Sequence, residues 1–160
     1  LPDIKLIAIL RNPIDRAYSN FHLGVREGTE KRSFSDVIKN DTDFINLKKQ
    51  EKKELSNNDY KMSYLAKGIY VEQLKKWYEI FEKEQLCVIS TEDFSNNTNK
   101  ILEKIFDFLD IPNYSIKKFE EKKKSRYPNI DNSVRIELED FFRPYNEQLY
   151  QLIGQEFNWD

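Results

Sequence analysis

An uncharged apolar run that stops at an arginine, a helix cap and a proline constrains this chain more than any other feature. Leu6-Ile7-Ala8-Ile9-Leu10, with Ile4 just before it, reads as a strand buried on both faces, the kind found in parallel sheets. Arg11-Asn12-Pro13 follows at once. Asn12 is a strong N-cap, Pro13 suits the first helical position, and Asp15 complements the positive helix end. Ile14, Ala17, Tyr18, Phe21 and Val25 then recur at helical spacing until Gly28. The result is strand, turn, helix, with Arg11 leaving the C-terminal end of the strand. Ligands of open α/β sheets bind in that region.

The remaining chain repeats the theme. Ser33 to Ile38 predicts a short helix. Asp41 to Tyr60 is polar and lysine-rich with weak periodicity, and is expected to be a mobile or inserted loop. Ile69 to Phe81 predicts an amphipathic helix with Tyr70, Leu74, Trp77, Tyr78 and Phe81 on one face. Gln85 to Ser90 predicts a second buried strand. Thr91-Glu92-Asp93-Phe94 leads from it to a helix carrying Ile101, Leu102, Ile105, Phe106 and Leu109. Ile116 to Pro128 is a basic loop. Asp131 to Phe142 reads as a helix broken by Pro144, and Tyr145 to Ile153 as a further segment stopped by Gly154. Strands joined through helices imply a parallel α/β layer. Two strands make a very small sheet. With a first residue that is Leu rather than Met, this leads us to expect a chain that begins partway through a domain.

Composition sets limits on function. A length of 160 residues suits one domain, and 39% hydrophobic with 14% aromatic residues suits a folded one. A net charge of −2 gives no whole-chain field for nucleic acid, so any anion site must be a local cluster of cations. The single cysteine, Cys87, sits in an apolar run, which favours a buried structural thiol over a nucleophile. One His and one Cys do not build an ordinary zinc site. No apolar stretch approaches the roughly 20 residues of a membrane span.

The chemistry converges on the first helix. Arg11 can offer a carboxylate or phosphate two parallel charge-assisted hydrogen bonds. At about 100° and 1.5 Å per residue, Ser19 falls on the Asn12 and Arg16 side, within reach of the same anion. His22, one turn past Ser19, is placed for a role beside the anion, although a helix-surface histidine is the favoured reading. Glu92-Asp93 looks like a paired-carboxylate site, and the residues alone leave that reading open beside a strand-end turn.

Leu10-Arg11-Asn12-Pro13-Ile14-Asp15-Arg16-Ala17-Tyr18-Ser19 resembles the 3′-phosphate-binding motif of sulfotransferases that use 3′-phosphoadenosine 5′-phosphosulfate. Further segments are similar in order: Tyr64 to Tyr70 with Gln73 to Trp77, Gln85 to Ile89 with Glu92 to Phe94, and Lys124-Ser125-Arg126-Tyr127-Pro128. Phe142 to Asn146, Leu149-Tyr150, Gly154 and Phe157 to Trp159 resemble the C-terminal end of heparan sulfate sulfotransferases and their bacterial relatives. The resemblance covers residues 1–160 apart from Asp41 to Tyr60.

The resemblance implies an α/β, P-loop NTPase-like sulfotransferase fold, here with a truncated parallel sheet flanked by helices and representing the C-terminal portion of the domain. It implies transfer of a sulfuryl group from 3′-phosphoadenosine 5′-phosphosulfate to a hydroxyl or amine, most naturally of a carbohydrate, without a metal. Arg11 and Ser19 are implied to hold the 3′-phosphate, with Arg126, Lys124 and Ser125 closing over it and Tyr127 near the nucleotide. The loop lacks the glycine of the Lys-Gly-Arg element typical of animal members. Lys122 and Lys123 read as a solvated run. Glu92-Asp93 is implied to be a strand-end turn that holds the fold. The family's 5′-phosphosulfate loop and its usual catalytic base lie upstream of the first motif. The four glycines Gly24, Gly28, Gly68 and Gly154 are not clustered and no Walker-type loop occurs, so no catalytic residue is named. A non-catalytic, sulfotransferase-like interaction domain is one alternative, and a nucleotide kinase-like enzyme of related architecture is the other, against which the absence of a phosphate loop argues. The bacterial-type resemblance favours a cytoplasmic setting, with the secretory lumen left open.

Overall fold

A computed structural model describes residues 3–114 and 127–159. Lys124, Ser125 and Arg126 lie outside the described residues. Strand β1 (Leu6–Leu10) leads into helix α1 (Pro13–Arg26), followed by α2 (Phe34–Gln50), α3 (Asn57–Met62) and α4 (Tyr70–Tyr78). Strand β2 (Leu86–Ser90) follows, then α5 (Thr91–Asn96), α6 (Thr98–Leu109) and α7 (Asn132–Ile153). The strands pair in parallel, Leu6 opposite Leu86 through Leu10 opposite Ser90. The sheet is thus a parallel pair with helices around it, the α/β arrangement the sequence order requires.

The two strands differ in burial. Every residue of β2 is buried, as expected. In β1 only Leu10 is buried, and Ile9 is 59% exposed. The expectation that β1 is buried on both faces is therefore corrected. Among the described residues β1 pairs on one edge alone, and no element covers its Ile7 and Ile9 side.

Asn12 starts α1 as its chemistry dictates. Its Oδ1 accepts from the Ile14 and Asp15 amides at 2.9 and 3.2 Å, and Pro13 takes the first helical position. Ile14, Ala17 and Phe21 turn inward. The helix ends before Gly28, whose φ of +73° suits a residue without Cβ.

The polar segment from Asp41 is not a loop. α2 continues unbroken to Gln50, capped by Ser33 and burying Val37, Ile38 and Ile45. Its apolar stripe is interrupted where Asp41 falls on the inner side. Asp41 has a structural task there: Oδ2 accepts from the Ser63 hydroxyl at 2.8 Å and the Leu65 amide at 3.0 Å. That pair fixes the turn entering the short 3₁₀ helix Ala66–Gly68. Gly68 lies against both Pro13 and Phe142, at distances that leave no room for a Cβ.

α4 is shorter than its pattern, ending at Tyr78. It buries Tyr70, Val71 and Leu74, whereas Trp77 is exposed and stacks on Phe81 with ring centroids 5.7 Å apart. α7 runs straight through Pro144, contrary to the expected break. Leu138, Phe142, Tyr145 and Leu149 form one helical stripe spanning both sides of the proline, and all are buried in the main core. Burial of that stripe, at about 1.5–3 kcal/mol per large apolar side chain, offsets the roughly 3 kcal/mol a mid-helix proline costs. The apolar face of α6 is present but only half-buried. Cys87 is buried, and burial raises its thiol pKa, in keeping with a structural role.

Candidate anion-binding site

The site is built on the turn between β1 and α1. Two locks hold that turn. The Glu92 carboxylate accepts from the Asn12 amide at 3.1 Å and from the Trp159 indole N–H at 3.0 Å. The Asn12 side-chain amide donates to the Trp159 carbonyl at 2.7 Å. Glu92 is therefore a strand-end structural carboxylate, the reading that the family resemblance implied. The Tyr70 hydroxyl donates to the Arg11 carbonyl at 3.0 Å, and burial pushes that phenol up to about 12. Three chain regions thus converge on the backbone that carries Arg11.

An open cleft of about 720 Å³ lies beside this turn. Arg11, Arg16, Ser19, Asn20 and Arg26 supply its polar wall, and His22 and Tyr127 its aromatic wall. Helical geometry explains the grouping. Positions 12, 16, 19, 20, 23 and 26 run along one side of α1, opposite the buried Ile14, Ala17 and Phe21. The structure brings Arg11, Ser19 and Tyr127 together, three of the six residues singled out from sequence. Lys124, Ser125 and Arg126 fall outside the described residues.

Charge in the cleft is one-sided. Three guanidinium groups line it, and no carboxylate does among the described residues. The nearby acids are occupied elsewhere: Asp15 Oδ1 accepts from Arg135 at 2.6 Å, and Glu92 holds Asn12 and Trp159. Burial lowers the Arg16 pKa, and the neighbouring Arg11 lowers it further. Arg16 Nη1 is buried and has no hydrogen-bond partner among the described residues. Lys67 is likewise lowered, first by burial and then by Arg16, and its Nζ donates to Asn20 Oδ1 at 3.3 Å. Clustered cations without acids repel one another, so a bound anion is what this arrangement accommodates. Phosphate and sulfate oxygens fit these donors, whereas a metal ion does not. No group of three or more His, Cys, Asp or Glu suited to a metal occurs among the described residues.

The aromatic wall holds a finding the sequence reading missed. His22 stacks on Tyr127 with centroids 4.6 Å apart and planes 5° from parallel. Tyr18 meets both rings edge-on, at 4.5 and 5.5 Å. His22 is thus a cleft residue rather than a plain surface histidine, and burial lowers its pKa. Helical spacing from Ser19 placed it close by, but its stacking partner lies 105 positions along the chain. Arg16 and Asn20, four and eight residues after Asn12, and Arg26, fourteen after it, share that side of the helix but do not stand out in the sequence as site residues.

The sulfotransferase domain family matches residues 1–146. The chain belongs to the sulfotransferase family. Its similarity extends to proteins of several kinds. Carbohydrate sulfotransferase 15 of Homo sapiens is 28% identical over 180 residues, covering 99% of this chain and 31% of its own length. Heparan sulfate glucosamine 3-O-sulfotransferase 3B1 of Mus musculus is 26% identical over 182 residues, covering 99% and 44%. The membrane-associated sulfotransferase kil1 of Dictyostelium discoideum is 33% identical over 95 residues, covering 59% of this chain and 20% of its own. A crystal structure of a sulfotransferase from Alicyclobacillus acidocaldarius superposes with a TM-score of 0.75 at 27% identity, over 99% of this chain and 58% of that one. The chain therefore spans less than half the length of these curated relatives. No helix among the described residues is long and apolar enough to cross a membrane.

Proposed function

We propose that the cleft beside α1 binds the 3′-phosphate of 3′-phosphoadenosine 5′-phosphosulfate, in a protein that transfers the sulfuryl group to a hydroxyl or amine of a carbohydrate. One observation carries the reading: Arg11 and Ser19, about two helical turns apart, line one cleft whose cations have no acidic partner among the described residues. The similarity to carbohydrate and heparan sulfate sulfotransferases supports a glycan acceptor.

In this reading Arg11 donates two parallel N–H hydrogen bonds to the phosphate oxygens, and the Ser19 hydroxyl donates a third. Tyr127, stacked on His22, forms the wall beside the nucleotide. The family resemblance gives Lys124 and Arg126 as further cations and Ser125 as a further hydroxyl donor to the same group. The co-substrate supplies an activated leaving group, and this chain's residues orient it. The chain provides the half of the grip that reads the 3′-phosphate.

Adenosine 3′,5′-bisphosphate should bind far more tightly than adenosine 5′-monophosphate in calorimetric titrations. Equal affinities would remove the role given to Arg11 and Ser19.

A further inference from the structure

Among the described residues half-buried Arg16 has no acidic partner. It sits one turn into α1, between Arg11 and Ser19 along the cleft wall. Its Nη1 is sealed from solvent without an acceptor, and none of the ion pairs among the described residues includes it. The nearest acid on its own helix, Asp15, is held by Arg135 of α7. The neighbours that do reach it electrostatically are the wrong kind. Arg11 is a like charge, and Tyr70 is a phenol pushed up to about 12 and thus neutral at ordinary pH. Lys67, from the 3₁₀ helix packed on α1, is another like charge. Arg16 is half-buried with one nitrogen sealed, and a guanidinium partly removed from water without a counter-charge costs the free protein stability. Such a group makes physical sense when a ligand completes it.

We infer that Arg16 is a second guanidinium ligand of the bound phosphate, facing the same oxyanion as Arg11. This rests on the 3′-phosphate reading and adds to it a residue that the motif resemblance does not assign. Two adjacent guanidiniums without a carboxylate match a doubly charged oxyanion. A phosphate monoester, at about −1.5 to −2 near neutral pH, is that kind of group. Arg16 presents its donors as a fixed fork, so lysine would keep the charge but lose the paired geometry.

The test combines calorimetry with thermal unfolding on the 160-residue chain, using adenosine 3′,5′-bisphosphate and adenosine 5′-monophosphate as probes. Arg16→Met should weaken the bisphosphate roughly 10- to 100-fold, the range for hydrogen bonds to charged groups, and the monophosphate less than about twofold. The ligand-free Tm should hold or rise, because an unpaired, half-buried charge has gone. A drop in Tm would show Arg16 to be structural and overturn the inference. Unchanged bisphosphate affinity beside a selective wild type would also overturn it. Equal weakening of both probes would keep Arg16 as an anion ligand while sinking the 3′-phosphate reading. Should Arg16→Met fail to fold, Arg16→Lys decides. A loss of about fivefold or more in bisphosphate affinity supports the inference, and wild-type affinity refutes it.

Discussion

Replacing Asn12 by alanine removes three hydrogen bonds at one almost fully buried position, 7% exposed. Two are the cap bonds from the Ile14 and Asp15 amides, at 2.9 and 3.2 Å. The third, at 2.7 Å, satisfies the carbonyl of Trp159, 147 residues away. Loss of an N-cap costs about 1 kcal/mol, and a buried carbonyl stripped of its donor about 2 kcal/mol, so Asn12→Ala should cost about 3 kcal/mol. With a urea m-value of about 2 kcal/mol/M, the midpoint should fall by about 1.5 M. Asn12→Ser separates the two terms, because a serine can cap the helix but does not reach the Trp159 carbonyl. It should recover about 1 kcal/mol of the loss. Urea unfolding followed by tryptophan fluorescence reports directly, because Trp159 is part of the lock. A midpoint within about 0.3 M of wild type for Asn12→Ala would refute the claim that this residue ties the C-terminus to the site.

Gly68→Ala places a Cβ 2.9 Å from both Phe142 Cε1 and Pro13 Cβ, two packed groups with little freedom to yield. It should cost about 1–3 kcal/mol in the same unfolding assay, and a neutral outcome would contradict the packing described. Glu30 accepts from the Arg32 side chain at 2.9 and 2.6 Å and from the Lys31 and Arg32 amides, which lower its carboxyl from 4.5 to about 2. Its folded pKa lies below the unfolded value, so its contribution is complete above pH 4.5 and is lost as pH falls towards about 2. Glu30→Gln should flatten the fall in Tm across that window, and an unaltered profile would show that another group controls it.

The local chemistry of the first motif was readable because its determinants are adjacent in sequence. An apolar run, Asn12, Pro13 and Asp15 specify strand, cap and helix without help from elsewhere. The parallel pairing followed from two apolar runs separated by helical patterns. What escaped reading depended on distant partners. Asp41 interrupts the stripe of α2 because its carboxylate serves residues 63 and 65, a use that periodicity cannot reveal. Pro144 is a helix breaker by local rules, yet a buried stripe on both sides holds α7 together. The exposed side of β1 was hidden because an apolar run says nothing about what lies against it. At the site, Arg11 and Ser19 stood out as a pair. Arg16 did not, because its distinction is the absence of a counter-charge in three dimensions. His22 likewise gained meaning only from Tyr127.

The central claim is that Arg11 reads a phosphate at the nucleotide's 3′ position. Its most direct test is a pair of calorimetric titrations of the Arg11→Ala chain, with adenosine 3′,5′-bisphosphate and with adenosine 5′-monophosphate. The account predicts a loss of about 1.5–3 kcal/mol for the bisphosphate and almost none for the monophosphate, so that the two affinities converge. Bisphosphate binding as tight as wild type would contradict it.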